Sequence, residues 1–199
     1  MDYVTADLHF GHKGILGFER SQFKTIQEHD EYLIRRINSA IKPDDVLYIL
    51  GDIGFWNPKD PKYVSHCIKR IECAHKILVV GNHDRFPKEE LKKMGFSVVH
   101  YGPVYYESAT SHGQIILSHE PVKEASDNPY VINVHGHVHN GKLKDPHYFN
   151  VNIANTGYSP VSMRHFEKIA AKCTKKRRET FGNEWYYDLY DLKGGKERK

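Results

Sequence analysis

The sequence predicts an α/β fold, and three observations support this prediction. Short apolar runs rich in β-branched residues recur along the chain, as expected of buried strands. Before Gly95, segments with apolar residues at helical spacing separate these runs. After Gly95, closely spaced strand-like runs are joined by loops rich in Gly, Pro, Asn and Asp. We therefore expect an α/β sheet followed by a second, strand-rich half.

Three strands and a long helix are predicted first. The strands correspond to three apolar runs, at residues 3–6, 46–50 and 77–80. Between the first two runs, Thr25 and Glu28 form a capping-box pattern. The apolar residues that follow at helical spacing are Ile26, Leu33, Ile37 and Ile41. This pattern predicts a helix over residues 25–41.

Two shorter helices are expected before Gly95. Asp60 and Pro61 offer an N-cap and a first-turn proline to the first of them. Its apolar positions are Val64, Ile68 and Ile71. The second is expected over residues 87–94 and ends at Gly95, a residue that commonly follows a helix.

The remainder of the chain predicts a second set of strands and one more helix. Five strands are expected, at residues 97–101, 104–107, 114–118, 131–135 and 148–153. A helix over residues 160–178 and a strand over residues 185–190 follow, and residues 193–199 form a basic tail. We interpret residues 1–199 as a single domain, with a core at about residues 1–160 and the C-terminal helix, strand and tail in residues 161–199.

Length and composition agree with a globular protein. The chain has 199 residues, of which 39% are hydrophobic and 27% charged. It contains no apolar run long enough to span a bilayer and does not begin with a signal-peptide pattern, so the cytoplasm is the expected compartment. The three cysteines form no CxxC pair, and their odd number predicts reduced, buried thiols. No membrane contact and no obligate protein partner are expected.

Charge alone does not identify a partner. The net charge is +4, and the basic excess lies in residues 172–178 and the last four residues. This basic segment resembles a phosphate-backbone patch, but positive charge at a helix C-terminus also suits the helix dipole. We favour the solvated interpretation. The 14 histidines are more informative, because imidazole is both a metal ligand and a proton carrier near neutral pH.

Polar clusters follow five of the predicted strands. They are Asp7-Leu8-His9, Gly51-Asp52, Gly81-Asn82-His83-Asp84, Ser118-His119 and Gly136-His137-Val138-His139. Ligands of open α/β sheets bind at the carboxyl ends of strands, where these clusters would meet. Carboxylates, imidazoles and an amide oxygen suit Mn, Fe, Zn or Ni. Each residue alone could be a cap, a core histidine or a turn residue, but together they predict a metal site.

The order of these motifs, DxH, GD, GNHD, a single His and GHxH, resembles the calcineurin-like metallophosphoesterase family. The resemblance covers about residues 2–160. It implies a layered α/β/β/α sandwich with two facing mixed sheets. It also implies two divalent ions, most readily Mn, that share a bridging hydroxide as nucleophile. The implied ligands of one ion are Asp7, His9, Asp52 and His139, and those of the other are Asp52, Asn82, His119 and His137.

His83 is the motif histidine that the resemblance does not use as a ligand. It implies that His83 donates a hydrogen bond to the substrate and protonates the leaving oxygen. The serine/threonine protein phosphatases carry GDxVDRG, whose second Asp orients this histidine, whereas Phe55 stands at that position here. A protein phosphatase is therefore not expected. Asp84 is given no role.

Several other residues are candidate substrate contacts. His12 follows a ligand motif, and Arg20 and Arg85 lie on loops that lead away from the site. Each could contact a phosphate, but a histidine in a surface loop is equally ordinary, and an arginine on a loop is more often solvated or paired with a carboxylate. Phe55 and Trp56 could stack on a nucleobase, although aromatic residues after a strand more often belong to the core, which we favour.

The predicted function is two-metal hydrolysis of a phosphoester, by a phosphatase or a phosphodiesterase. Short spacing between the motifs leaves an open site, shaped by loops at residues 10–24, 54–60 and 120–130. The interpretation favours a small phosphoester such as a nucleotide as substrate. One alternative is a nuclease guided by the basic helix, with nucleic acid as the partner. Another is a non-catalytic metal-binding scaffold, which should have lost ligands, whereas none is missing here.

Overall fold

The computed structural model describes residues 1–181 except Pro58, Pro61, residues 108–113, Pro129 and Lys142. Within helix residues 174–178, 180 and 181 the backbone alone is described. The expected strand at residues 185–190 and the basic tail lie outside the described residues. In the part that is described, no helix combines the length and the apolar character needed to cross a membrane.

Nine strands are present in the described residues. They are β1 (Asp2–Thr5), β2 (Val46–Leu50), β3 (His75–Val79), β4 (Phe96–His100), β5 (Val104–Tyr106), β6 (Ile115–Ser118), β7 (Ile132–His135), β8 (Tyr148–Asn150) and β9 (Val161–Ser162). The described helices are α1 (Gly14–Phe18), α2 (Ile26–Ala40), α3 (Tyr63–Lys69), α4 (Lys88–Lys93), α5 (Glu124–Asp127) and α6 (Met163–Phe181).

The strands form two mixed sheets. The first has the order β4-β3-β2-β1-β9, in which β1 to β4 are parallel and β9 is antiparallel to β1. The second has the order β5-β6-β7-β8, in which β6 to β8 are parallel and β5 is antiparallel to β6. The predicted α/β architecture with two facing mixed sheets is confirmed.

Alternating side chains of β2 show how the layers pack. Leu47 and Ile49 belong to a cluster that includes Leu33 of α2 and Ile68 of α3. Leu50 faces the other way, into a cluster shared with the second sheet. The members of that cluster on β6 and β7 are Ile115, Leu117, Ile132 and Val134. A strand side chain points to opposite faces at successive residues, so β2 is covered by helices on one face and by the second sheet on the other.

Most element predictions hold, with instructive exceptions. Glu28 donates its backbone N–H to the Thr25 hydroxyl at 3.1 Å, which confirms the capping of α2. The expected N-cap role of Asp60 is wrong. Helix α3 begins at Tyr63, and Asp60 instead accepts the Tyr63 N–H through its backbone carbonyl at 3.3 Å. Ile71 lies beyond the end of this helix but is buried.

Three short elements were not expected from the sequence, namely α1, α5 and β9. Strand β8 ends at Asn150, and two residues later Asn152 forms an isolated parallel bridge with Ala6, the residue after β1. The three cysteines are reduced thiols, as predicted, and Cys67 and Cys73 are buried, whereas Cys173 is half-buried rather than buried as expected.

Candidate metal centre

The polar clusters converge at one edge of the molecule. Asp7 and His9 follow β1, Asp52 follows β2, and Asn82 follows β3. His119, His137 and His139 follow β6 and β7 of the second sheet. Strands β1, β2 and β3 are parallel to one another, as are β6 and β7, so within each sheet the carboxyl ends of these strands lie on the same side. The expected meeting of the clusters at strand ends is therefore observed.

The backbone at this edge adopts an unusual conformation. Among the described residues, six non-glycine residues have a positive φ, and five of them are expected ligands. These five are Asp7, His9, Asp52, His137 and His139. The left-handed conformation costs an L-residue roughly 1–2 kcal/mol. Such outliers concentrate at functional sites, where surrounding structure holds them in place.

Two glycines allow the clusters to approach each other closely. A Cβ atom on Gly51 would lie 2.5 Å from Nδ1 of His119, and Gly51 also has a φ of +79°. A Cβ atom on Gly136 would lie 2.6 Å from a carboxylate oxygen of Asp7. Both distances are far below van der Waals contact, so larger residues at these positions would push the clusters apart.

Asp52 lies between two groups of side chains. Its Oδ2 is 3.8 Å from Nε2 of His9, and its Oδ1 is 3.5 Å from Nε2 of His119. We call Asp7, His9 and His139 the first group, and Asn82, His119 and His137 the second group. Asp7, Asp52 and His119 each place one donor atom within 4.8 Å of the others. The two carboxylate oxygens of Asp52 thus face one group each.

The second group brings several lone pairs together. His119 donates its Nδ1–H to the Leu50 carbonyl at 2.8 Å, which leaves Nε2 as the free ring nitrogen. Burial lowers the pKa of His119, so this nitrogen is unprotonated at neutral pH. Nε2 lies 2.7 Å from Oδ1 of Asn82, which is also 3.0 Å from Nδ1 of His137. Converging lone pairs of this kind suit a cation.

The first group contains buried polar atoms that have no partner. Nε2 of His9 and Oδ2 of Asp52 are buried and make no hydrogen bond within the described residues. The His9 and His139 rings are stacked, with centroids 5.2 Å apart. The Asp7 carboxylate accepts the backbone N–H of His137 at 3.1 Å. Unsatisfied buried polar atoms are rare in proteins, and a bound ion is one of the accepted reasons for them.

Electrostatics at the first group also suits positive charge. Burial, and then the charge of Asp52, raises the pKa of Asp7 to about 7. Burial, and then the charge of Arg20, lowers the pKa of His9 to about 2. His9 is therefore neutral and able to donate a lone pair. Two buried carboxylates beside the neutral His9 imidazole form a donor set that divalent ions such as Mn, Fe, Zn or Ni fit.

A model of the calcineurin-like phosphoesterase family matches residues 3–186. The chain belongs to this family. The resemblance inferred from the motifs is thereby confirmed, and the membership suggests metal-dependent hydrolysis of phosphoesters. The converging donor atoms described above supply the candidate metal site for this chemistry.

Several relatives of the chain can be named. An uncharacterized protein of Methanocaldococcus jannaschii is 25% identical over 182 residues, which cover 85% of this chain and 91% of the relative. The gene 66 protein of Mycobacterium phage L5 is 27% identical over 168 residues, covering 73% of this chain and 80% of that protein. The crystal structure of an Aquifex aeolicus protein of unknown function has a TM-score of 0.65 and 26% identity, covering 85% and 98% of the two chains.

Asp84, the last residue of the family's GNHD motif, has a clear role that the sequence did not reveal. Its buried carboxylate accepts three backbone N–H groups, from Gly81 at 2.8 Å, Ile53 at 2.8 Å and Asp52 at 3.0 Å. Burial raises its pKa to about 7, and these hydrogen bonds oppose that rise. Asp84 therefore joins the turns after β2 and β3 and fixes the backbone of Asp52.

The expected substrate residues occupy different surroundings. His83 is exposed, and its backbone N–H donates to Oδ1 of Asp52 at 2.9 Å. His12 is half-buried, with its ring centroid 5.5 Å from that of His9. Arg85 is exposed. Arg20 is fully buried and donates to the carbonyls of Asp7 and Leu8, so the expected contact between Arg20 and a phosphate is corrected to backbone support.

The expected core location of Phe55 and Trp56 is wrong. Their exposed fractions are 55% and 39%. The Phe55 ring stacks on His12 with a centroid distance of 5.4 Å and an interplanar angle of 15°. Phe18, which is 73% exposed, contacts His139 edge-on at 5.4 Å. Two exposed phenylalanine rings thus contact two of the histidines at this edge.

Proposed function

We propose that this chain is a two-metal phosphoester hydrolase that acts on nucleotides, as a phosphatase or a phosphodiesterase. The position of Asp52 carries the proposal, because its two buried oxygens face two separate groups of candidate ligands. A single buried carboxylate shared in this way is suited to bridging two cations. Family membership supports the reaction class.

In this proposal the ions are held by both groups. Asp7, His9, Asp52 and His139 hold one ion, and Asp52 is shared with the other. The remaining ligands of the second ion are Asn82, His119 and His137. Two such ions supply a nucleophilic hydroxide at neutral pH and offset negative charge on the ester oxygens. Manganese is the ion we propose, and the oxygen and nitrogen donors also suit Fe, Zn or Ni.

His83 acts as the proton donor in this proposal. Its main chain is fixed by the hydrogen bond to Asp52, whereas its side chain is exposed to the open face of the site. An imidazole at this position can protonate the departing oxygen of the ester, a step for which histidine is the most common donor. His12 lies on the same face and can donate a hydrogen bond to the phosphate.

The exposed phenylalanines support a nucleotide substrate. An exposed ring gains free energy by stacking on a planar partner, and base–aromatic stacking contributes roughly 1–3 kcal/mol per base. Phe55 beside His12 and Phe18 beside His139 offer such surfaces next to the phosphate site. A sugar phosphate or a simple alkyl phosphate would leave both rings exposed to water.

The test combines metal content with a substrate panel. Protein freed of metal by chelation is dialysed against excess Mn, and ions per chain are measured by mass spectrometry. Loaded protein is then assayed with nucleotides, cyclic nucleotides, sugar phosphates, p-nitrophenyl esters and short oligonucleotides. We expect two ions per chain and the highest kcat/KM on nucleotides.

Three other outcomes would contradict this proposal in different ways. Two ions without turnover on any ester would indicate a metal-binding scaffold. Preference for oligonucleotides, with affinity that falls steeply as salt rises, would indicate a nuclease. Hydrolysis without a preference for nucleotides would support phosphoester hydrolysis but contradict the proposed nucleotide substrate.

A further inference from the structure

Two consecutive charged residues after α1 are buried beside the first group. The Glu19 side chain is 1% exposed and the Arg20 side chain 0%. Burying a charge is unfavourable unless the charge is paired or hydrogen-bonded, so these residues need specific partners. Neither belongs to the five sequence motifs. Their side chains contact different parts of the site.

Glu19 contacts His139. Its carboxylate accepts the Nδ1–H of His139 at 2.8 Å. A carboxylate on one ring nitrogen fixes the tautomer of a histidine, presents the other nitrogen as the ligand atom and fixes the ring orientation. The residues are 120 positions apart in the chain, so this contact joins the loop after α1 to the loop after β7.

Arg20 supports the segment that carries Asp7 and His9. Its guanidinium donates to the carbonyl of Asp7 at 2.5 Å and to that of Leu8 at 3.0 Å. These carbonyls belong to the stretch in which Asp7 and His9 adopt a positive φ. A fully buried donor on both carbonyls stabilises this conformation against relaxation of the loop.

Arg20 is also hydrogen-bonded to α2. Its Nη1 donates to Nε2 of His29 at 2.8 Å, and Nδ1 of His29 donates to Asp30 at 2.6 Å. The other oxygen of Asp30 accepts the backbone N–H of Gly11 at 2.9 Å. Residues 7–11 are therefore held near both ends by one buried hydrogen-bond network.

We propose that Glu19 and Arg20 are positioning residues that organise the first metal position selectively. This inference rests on the proposed two-metal function. Their contacts reach His139 and the backbone of residues 7 and 8, all in or next to the first group. The second group has different support, because His119 donates to Leu50 and Asp84 holds the turn after β3. Loss of Glu19 or Arg20 thus weakens the binding of one ion and leaves the binding of the other unchanged.

The experiment measures two dissociation constants for Mn in the full chain. Wild type is expected to bind two ions and to show the electron paramagnetic resonance spectrum of a coupled Mn pair. Glu19→Gln keeps the shape of the side chain but removes its charge. It should weaken one site by about 10- to 100-fold, a typical effect of losing a partner that orients a metal ligand. The dissociation constant of the other site should not change. At intermediate Mn concentration, the electron paramagnetic resonance spectrum of a single bound Mn ion should appear.

A matched control is available on the surface. Glu31 pairs with Arg70 through an Arg70 Nη2 hydrogen bond of 2.7 Å, and the Glu31 side chain is 58% exposed. Glu31→Gln removes the same charge from a paired carboxylate and should leave both constants unchanged. Arg20→Lys provides the second test, because it keeps the charge with fewer donors and should weaken the same site as Glu19→Gln.

The outcomes separate this inference from the proposed function. The positioning role would be overturned if Glu19→Gln kept both Mn dissociation constants of the wild type and the spectrum of a coupled pair. It would also be overturned if the affinity fell equally at both sites. A wild-type chain that binds fewer than two ions would overturn the proposed function, and the inference with it. Thermal unfolding of each metal-free variant shows whether it is folded. Should Glu19→Gln fail to fold, the Arg20→Lys constants decide between the outcomes in the same way.

Discussion

The two groups around Asp52 are supported by different means. The first group is held by buried charged side chains from outside the motifs, which contact His139 and the carbonyls of residues 7 and 8. The second group is held through the Leu50 carbonyl and the turn fixed by Asp84, and its Asn82 is exposed. A group whose ligands are cross-linked by buried hydrogen bonds resists rearrangement more than a group with an exposed ligand. We therefore expect the first position to be the more rigid and the second to be open to substrate.

Asp52→Asn gives the largest expected effect, because Asp52 belongs to both groups. Both ions should bind more weakly, and kcat/KM should fall by about 10⁴-fold, since the ions contribute several kcal/mol to the transition state. His9→Ala, which affects the first group alone, should lose less metal and less activity. Metal content and turnover of the two variants are measured side by side. A fully loaded, active Asp52→Asn protein would exclude the bridging role.

His83→Gln should leave metal binding by both groups unchanged. The variant should keep both ions, yet hydrolysis of an alkyl phosphate ester should slow by about 10³-fold, within the range for loss of a general acid. A p-nitrophenyl ester should slow far less, because its leaving group departs without a proton. Rates on both esters are compared within the variant. Equal slowing would assign His83 to phosphate positioning instead, and lost metal would place it among the ligands.

Phe55→Ala tests the substrate side of the site. Removing the ring should reduce kcat/KM for nucleotides by about tenfold, because one stacked base contributes roughly 1–3 kcal/mol. Hydrolysis of a sugar phosphate should be unchanged, as should both metal constants. Val98→Ala on β4 provides a control, because it removes another exposed apolar side chain. A nucleotide preference that survives in Phe55→Ala would exclude stacking on this ring.

The smallest expected effect concerns the stability of the protein at acidic pH. It arises in the hydrogen-bond network of Arg20, His29 and Asp30 that supports the first group. Burial, and then the charge of Arg20, lowers the pKa of His29 below its ordinary value. Below about pH 6.5 the unfolded chain binds a proton there that the folded chain does not, so stability present above that pH is lost as pH falls. The free energy of unfolding of the metal-free protein is measured in urea at pH 8 and pH 5.5. The free energy of unfolding should change less between these two pH values in His29→Gln than in the wild type. An equal change in both proteins would contradict a neutral His29.

The sequence predicted that the motif residues meet at one edge of the fold but not which residues support them. Short motifs after apolar strands are local signals, so Asp7, Asp52 and His119 could be placed at one edge before the fold was known. The contact of Glu19 with His139 spans 120 residues, and no local pattern marks such a pair. The acidic–basic pair Glu19-Arg20 resembles any solvated loop sequence, although it is buried.

Two other differences between the expectations from the sequence and the structure have physical causes. The N-cap expected at Asp60 fails because its backbone carbonyl, rather than its side chain, receives the Tyr63 N–H. Phe55 was expected in the core because aromatic residues after strands are usually buried. Its ring is instead exposed and stacks on His12, a contact that hydrophobicity alone does not encode.

Anomalous diffraction from crystals of the Mn-loaded chain tests the central claim most directly. The account predicts two anomalous peaks on either side of the Asp52 carboxylate, roughly 3.5–4 Å apart as in other two-metal sites. One peak should lie beside His9 and His139, and the other beside His119 and His137. A single peak, or two peaks that do not share Asp52, would contradict the account.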